Sequence, residues 1–186
     1  MSFETQPVFS NTPNTTRNAY VRKGQHFGEV EKQLLVLSKE LREGTFVAPL
    51  ASGLHDSATP TSQGLALLAE MCTVEKSNYA GDQNGQRWAT VWLASDLVGK
   101  KIRLRVEGGV PALPADQRAL FNLNATGTAI DFATRGAPNA DPATFQFRLV
   151  NLDGNEKVNN YDPLTGQLTQ TQGDVHAYFT ILPFAL

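Results

Sequence analysis

The stretch EVEKQLLVLSKELREGTFVAPL, residues 29–50, admits two readings, and the fold turns on which one holds. Val30, Leu34, Leu37 and Leu41 recur at helical spacing, acids lead, and Gly44 is placed to end a helix. Against this, Leu34-Leu35-Val36-Leu37 is a short apolar run, and Thr45-Phe46-Val47 opens a second. Those read as two strands joined through a turn near Gly44. Local periodicity alone favours the helix slightly.

Downstream, the chain is punctuated in β fashion. ASGLHDSATPTSQG (51–64) is dense in turn formers and is expected to be a loop. Leu65 to Val74 reads as a buried strand, although its Ala, Leu and Met residues also tolerate helix. KSNYAGDQNGQ (76–86) reads as a second loop, with Asn84-Gly85 the strongest short turn signal in the chain. Arg87 to Leu93 alternates, with Trp88 and Trp92 on one face beside Thr90. Lys101 to Glu107 alternates more cleanly, with Ile102, Leu104 and Val106 opposite Arg103 and Arg105. That predicts a half-buried strand with a solvated outer face. Pro114 to Phe121 is expected to give a short helix opened by proline. Ala129–Ala133, Thr144–Val150 and His176–Phe184 read as strands, and Asn151–Gly173 as a long polar loop. Many short strands with Gly and Pro between them, and no internal repeat, predict an all-β sandwich or barrel.

The 186 residues suit one domain, with or without appendages. Residues 1–28 stand apart as an extended N-terminal arm before a β-rich body, 29–186. The arm is rich in Asn, Thr, Gln and Ser, carries Pro7 and Pro13, and has no apolar run. Such a segment does not offset its conformational entropy by burying itself. Its widely spaced aromatics, Phe3, Phe9 and Tyr20, suit pockets on another molecule, or on the parent body. Its bases Arg17, Arg22 and Lys23 stand against Glu4 alone, whereas the remainder carries thirteen bases against seventeen acids. This fits docking on acidic protein surfaces, and equally an ordinary scatter of charge. Phe3, Phe9, Arg17, Tyr20, Arg22 and Lys23 are therefore the candidate partner-binding residues. A formal charge of −2 argues against nucleic acid as a partner. No window approaches ~18 apolar residues, so no membrane span is expected, and the start of the chain lacks a secretory leader pattern. Cys72 is the single cysteine, so no internal disulfide forms, and it reads as a small buried hydrophobe.

Chemistry is sparse. His26, His55 and His176 have no second His or Cys at ligand spacing, so zinc is not expected. His55-Asp56-Ser57 has triad residue types, but neighbours in sequence do not form the relay. Asp153-Gly-Asn155-Glu156 with Asp162 resembles a hard-cation loop only superficially. Lys157, Val158 and Leu164 occupy its fifth, sixth and twelfth positions. Gly108-Gly109 and Asn124-Ala-Thr-Gly127 are glycine turns without phosphate-loop spacing. Carboxylates are scattered one per element, with no pair for glycoside hydrolysis. No catalytic residue, cofactor or metal is expected, and the chain does not read as an enzyme.

The order of Leu34-Leu-Val-Leu37, Leu41-Arg-Glu-Gly-Thr-Phe-Val47, a polar loop with Pro60, and Gly64-Leu-Ala-Leu-Leu68 resembles the head-decoration (capsid cement) proteins of tailed bacteriophages, typified by the lambda decoration protein. It covers about residues 34–71; the chain is longer than the small members, and nothing after about Asn78 has a counterpart. The resemblance implies two strands around Gly44 in place of the helix. It also implies a small β-sandwich or barrel with an extended arm, and an added C-terminal β subdomain would account for the rest. Further implications are a homotrimer on the virion surface, made in the host cytoplasm, with the major capsid protein as partner. Another virion role (tail, connector or minor coat) is the nearest competitor. A carbohydrate-binding β-sandwich using Trp88 and Trp92 is a second class.

Overall fold

Residues 33–37 and 46–49 are strands, with no helix over 40–45, in the computed structural model, which describes residues 19–20, 33–37, 40–70, 86–153, 157–161, 168–172 and 175–186. Gly44, at φ 80°, takes the left-handed conformation that glycine enters without steric cost. Its N–H donates to the Leu68 carbonyl at 2.9 Å, and Leu68 N–H donates back to Thr45 at 3.0 Å. Leu34 and Leu41 still end in one apolar cluster, as helical spacing would have them, but they reach it together with Val36 from a strand and from the segment ahead of the Gly44 turn.

A short strand, β1 (Ala19–Tyr20), precedes five that close into a barrel: β2 (Gln33–Leu37), β3 (Phe46–Pro49), β4 (His55–Ser57), β5 (Ala66–Leu68) and β6 (Gln86–Leu93). Their order is β2-β4-β3-β5-β6, and antiparallel pairing of β6 with β2 completes the circle. Closure matters because it leaves no strand edge to recruit a neighbour. One helical turn, α1 (Ala94–Leu97), leads into a second sheet. It contains β7 (Ile102–Glu107), β8 (Leu120–Leu123), β9 (Ile130–Gly136) and β10 (Phe147–Leu152). After a separate hairpin of β11 (Lys157–Tyr161) and β12 (Leu168–Gln172), β13 (Val175–Ile181) rejoins that sheet. The order is β1-β7-β13-β10-β8-β9, and the sheet curls until β9 pairs in parallel with β7 at Val106↔Ile130. The protein is thus all-β, a closed five-stranded barrel joined to a curled sheet.

Strand alternation explains why the two β units are inseparable. Val47, Ala66 and Leu68 face the barrel interior with Val36, Ala89 and Val91. Their neighbours Phe46, Ala48, Leu65 and Leu67 belong to the larger core, with Ile102, Phe121, Phe147 and Phe179. β3 and β5 therefore form a shared wall, apolar on both faces, and so read as continuous hydrophobic runs. The Phe46 ring meets Phe147 edge-on at 5.3 Å between centroids. Backbone bonds continue the seam: Phe46 N–H donates to Gly127 at 2.8 Å, and Leu65 N–H to Ala185 at 3.0 Å.

Four expectations need correction. The predicted 51–64 loop contains β4, whose three residues make a strand because β3 and β2 pair with them. The predicted 151–173 loop contains the β11–β12 hairpin, paired from Lys157↔Gln172 to Tyr161↔Leu168. Pro114 to Phe121 is no helix: turns run to Arg118, which has φ 65°, and β8 starts at Leu120. Buried Asp116 drives this turn, accepting from Ala112 N–H at 2.7 Å and pairing with Arg135. The outer face of β7 is not simply solvated either. Arg103 is 5% exposed and pairs with Asp153, while Arg105 reaches Glu107 at 3.3 Å. Cys72, His26, Asn84-Gly85 and the boundary between residues 28 and 29 lie outside the described residues.

Candidate functional site

Of the candidate arm residues, Tyr20 is the one described, in β1, where Ala19 and Tyr20 pair antiparallel with Leu104 and Arg103 of β7. Phe3, Phe9, Arg17, Arg22 and Lys23 lie outside the described residues. The backbone at Ala19–Tyr20 therefore belongs to the parent body's own sheet. The sequence left this open by allowing the aromatics either an external pocket or the body itself.

The tryptophan face divides. Trp92 packs against the larger core, whereas Trp88 is 37% exposed. His55, Asp56 and Ser57 are consecutive in β4, and Asp56 accepts from the Ser57 backbone at 2.6 Å. Asp153 is committed to Arg103. No group of three or more His, Cys, Asp or Glu that would hold a metal occurs among the described residues, and no helix there is long and apolar enough to cross a membrane.

The sequence did not point to a polar cleft at the seam of the two β units. It has a volume of about 270 Å³ and is lined by Glu40, Arg42, Thr45, Arg105, Thr126 and Thr128, with Leu41 at its apolar side. One wall is the 40–45 segment that the Gly44 turn delivers to β3. The other is the 124–129 turn after β8, with Arg105 of β7 beside it. That second wall is built by Asn124, which is 8% exposed. Its Oδ1 accepts from Thr128 N–H at 2.9 Å and Thr126 N–H at 3.3 Å. Its Nδ2 donates to Glu107 at 2.7 Å, and Glu107 in turn holds the Arg105 guanidinium. The Thr126 and Thr128 hydroxyls lie 2.8 Å apart. A linked set of side chains thus fixes Arg105 and both threonines before any ligand arrives, which lowers the ordering cost of binding. No sequence motif announces this arrangement, because its residues come from segments separated by about sixty positions. The only trace in the sequence was Asn124-Ala-Thr-Gly127, read as a turn.

Among the described residues, the lining offers the guanidinium and hydroxyl donors of Arg42, Arg105, Thr45, Thr126 and Thr128, with one carboxylate, Glu40. Comparison with protein-family models, with curated proteins and with solved structures returns no match to this chain.

Proposed function

We propose that this protein is a structural component of a tailed-phage particle, a decoration or cement protein that binds the outside of an assembled head and clamps neighbouring coat subunits. One observation carries the reading. The stretches that bear the resemblance, 34–37, 41–47 and 64–68, supply β2, β3 and β5 of a single closed barrel, with Gly44 turning the chain into β3. They form one structural unit, which is the arrangement the resemblance implies for them.

The arm fits the same role. With Ala19–Tyr20 paired to β7, the eighteen residues before them tether Phe3, Phe9 and Arg17 to a defined edge of the body. Fully extended, that length reaches at most about 60 Å, enough to cross onto an adjoining subunit. A second contact on a tether adds affinity through its high effective concentration. A ligand that binds only the assembled shell stabilises it by mass action, about 2.7 kcal/mol at a hundredfold excess over the dissociation constant. The body itself is expected to trimerise on the shell around its major capsid protein partner.

Co-expression with the coat protein encoded beside this gene tests the proposal. Purified shells are expected to carry the protein on their outer surface as trimers and to rupture at higher temperature than bare shells. Shells that assemble without taking it up, or a gene neighbourhood without coat, portal or protease genes, would overturn it. Replacing Phe3 and Phe9 together by alanine is expected to lower occupancy while leaving the body folded.

A further inference from the structure

The cleft between the 40–45 segment and the 124–129 turn is incomplete in one respect. The Arg105 guanidinium makes a hydrogen bond to Glu107 at 3.3 Å, but its Nε is buried and meets no acceptor among the described residues. A buried charged donor without an acceptor is costly, so the guanidinium of Arg105 is short of one hydrogen-bond partner. Across the cleft, Arg42 is held, among the described residues, only by Glu40, two residues away, at 3.4 Å, with both side chains more than half exposed. An ion pair that open to water contributes little and exchanges readily. Glu40 therefore supplies, from within the chain, the kind of group this rim accepts: a carboxylate.

We propose that the cleft is a carboxylate-binding site, in which Arg105 and Arg42 hold one carboxylate between them and displace Glu40. A planar carboxylate matches the guanidinium fork in a way that a point donor such as lysine does not. Thr126 and Thr128 offer hydroxyls to the same group. The volume of about 270 Å³ takes a small dicarboxylate or one acidic side chain of a peptide. The body's net negative charge means that selection comes from these local donors and not from a long-range field. This inference does not rest on the capsid reading.

The test is titration of isotope-labelled full-length protein, followed by NMR at low salt, with succinate, with a terminally blocked Gly-Glu-Gly peptide, and with neutral succinamide. Saturable shifts at Thr45, Thr126, Thr128 and the Arg105 Nε are expected with one or both carboxylates and not with succinamide. Response to succinate alone identifies a small-molecule site, and response to the peptide an acidic partner segment. Arg105→Gln is expected to weaken binding about tenfold or more. Arg42→Gln, at an exposed position that leaves the fold intact, is expected to weaken it in the same sense. Glu40→Gln is expected to tighten it, because the internal competitor is gone. The proposal is overturned by the absence of saturable shifts with either carboxylate, by equal shifts with succinamide, or by unchanged affinity in Arg42→Gln.

Discussion

Gln146 shows how single side chains decide whether the two β units stay joined. It is fully buried, yet every polar atom of its amide has a partner. Oε1 accepts from Leu123 N–H at 2.9 Å, and Nε2 donates to the carbonyls of Thr59 and Ser62 at 2.9 and 2.8 Å. It thereby ties the 59–62 turn of the barrel unit to the curled sheet. Gln146→Leu strands three backbone groups and is expected to cost about 3 kcal/mol, read as a lower urea midpoint at unchanged slope. Gln146→Glu is a sharper probe, because its ionised carboxylate would face two carbonyls. Burial favours the protonated form, so the variant's deficit is expected to be larger at neutral than at mildly acidic pH. Gly127 acts through shape instead. At φ 69°, a Cβ there would strike the Phe46 carbonyl oxygen and sit 3.0 Å from Ala58 N. Both obstacles are backbone, so Gly127→Ala is expected to lose about 2–4 kcal/mol in the same assay.

At the scale of elements, the shared wall of β3 and β5 makes one cooperative unit out of two sheets. Phe46 is 1% exposed and packs across the seam, whereas the adjacent Val47 packs inside the barrel. Phe46→Ala is expected to cost about 3–5 kcal/mol. It should lower the tryptophan-fluorescence transition, which reports β6, together with the amide signals of β7 and β13 in NMR. Separate midpoints for the two sets would show that the units fold independently. What was legible in the sequence follows the same physics. β6 and β7 were readable because alternating burial leaves a period of two, and Gly44 was readable because a left-handed turn favours glycine. Local periodicity misread 29–50, since Leu34 and Leu41 meet through tertiary burial and not on a helix face. β4 was illegible because three polar residues carry no pattern of their own, and pairing with β3 and β2 makes them a strand. The 113–118 turns depend on Asp116 finding Ala112 N–H and Arg135, a contact invisible in a linear pattern. The cleft was hidden for the same reason, being assembled from 40–45, Arg105 and 124–129.

For the molecule as a whole, a clamping arm that also completes the sheet would have two separable duties, and truncation distinguishes them. β1 pairs with Leu104 and Arg103, on the strand that also pairs with β13 and β9. Removing residues 1–18 retains that pairing while deleting Phe3, Phe9 and Arg17. Removing residues 1–26 deletes β1 as well and leaves part of the β7 edge unpaired. Exposed strand edges recruit other chains, and each lost backbone bond costs about 0.5–1.5 kcal/mol. The shorter truncation is therefore expected to keep the full-length melting temperature and monodispersity while occupying capsids poorly. The longer one is expected to melt several degrees lower and to self-associate on concentration. Thermal denaturation and light scattering of the three proteins, beside shell occupancy on a gel, separate the effects. If both truncations melt alike and occupy shells as well as the full chain, the arm neither clamps a partner nor completes the sheet. If the shorter truncation alone loses stability, residues 1–18 serve the body itself, and the external clamp gives way to a fold-back role.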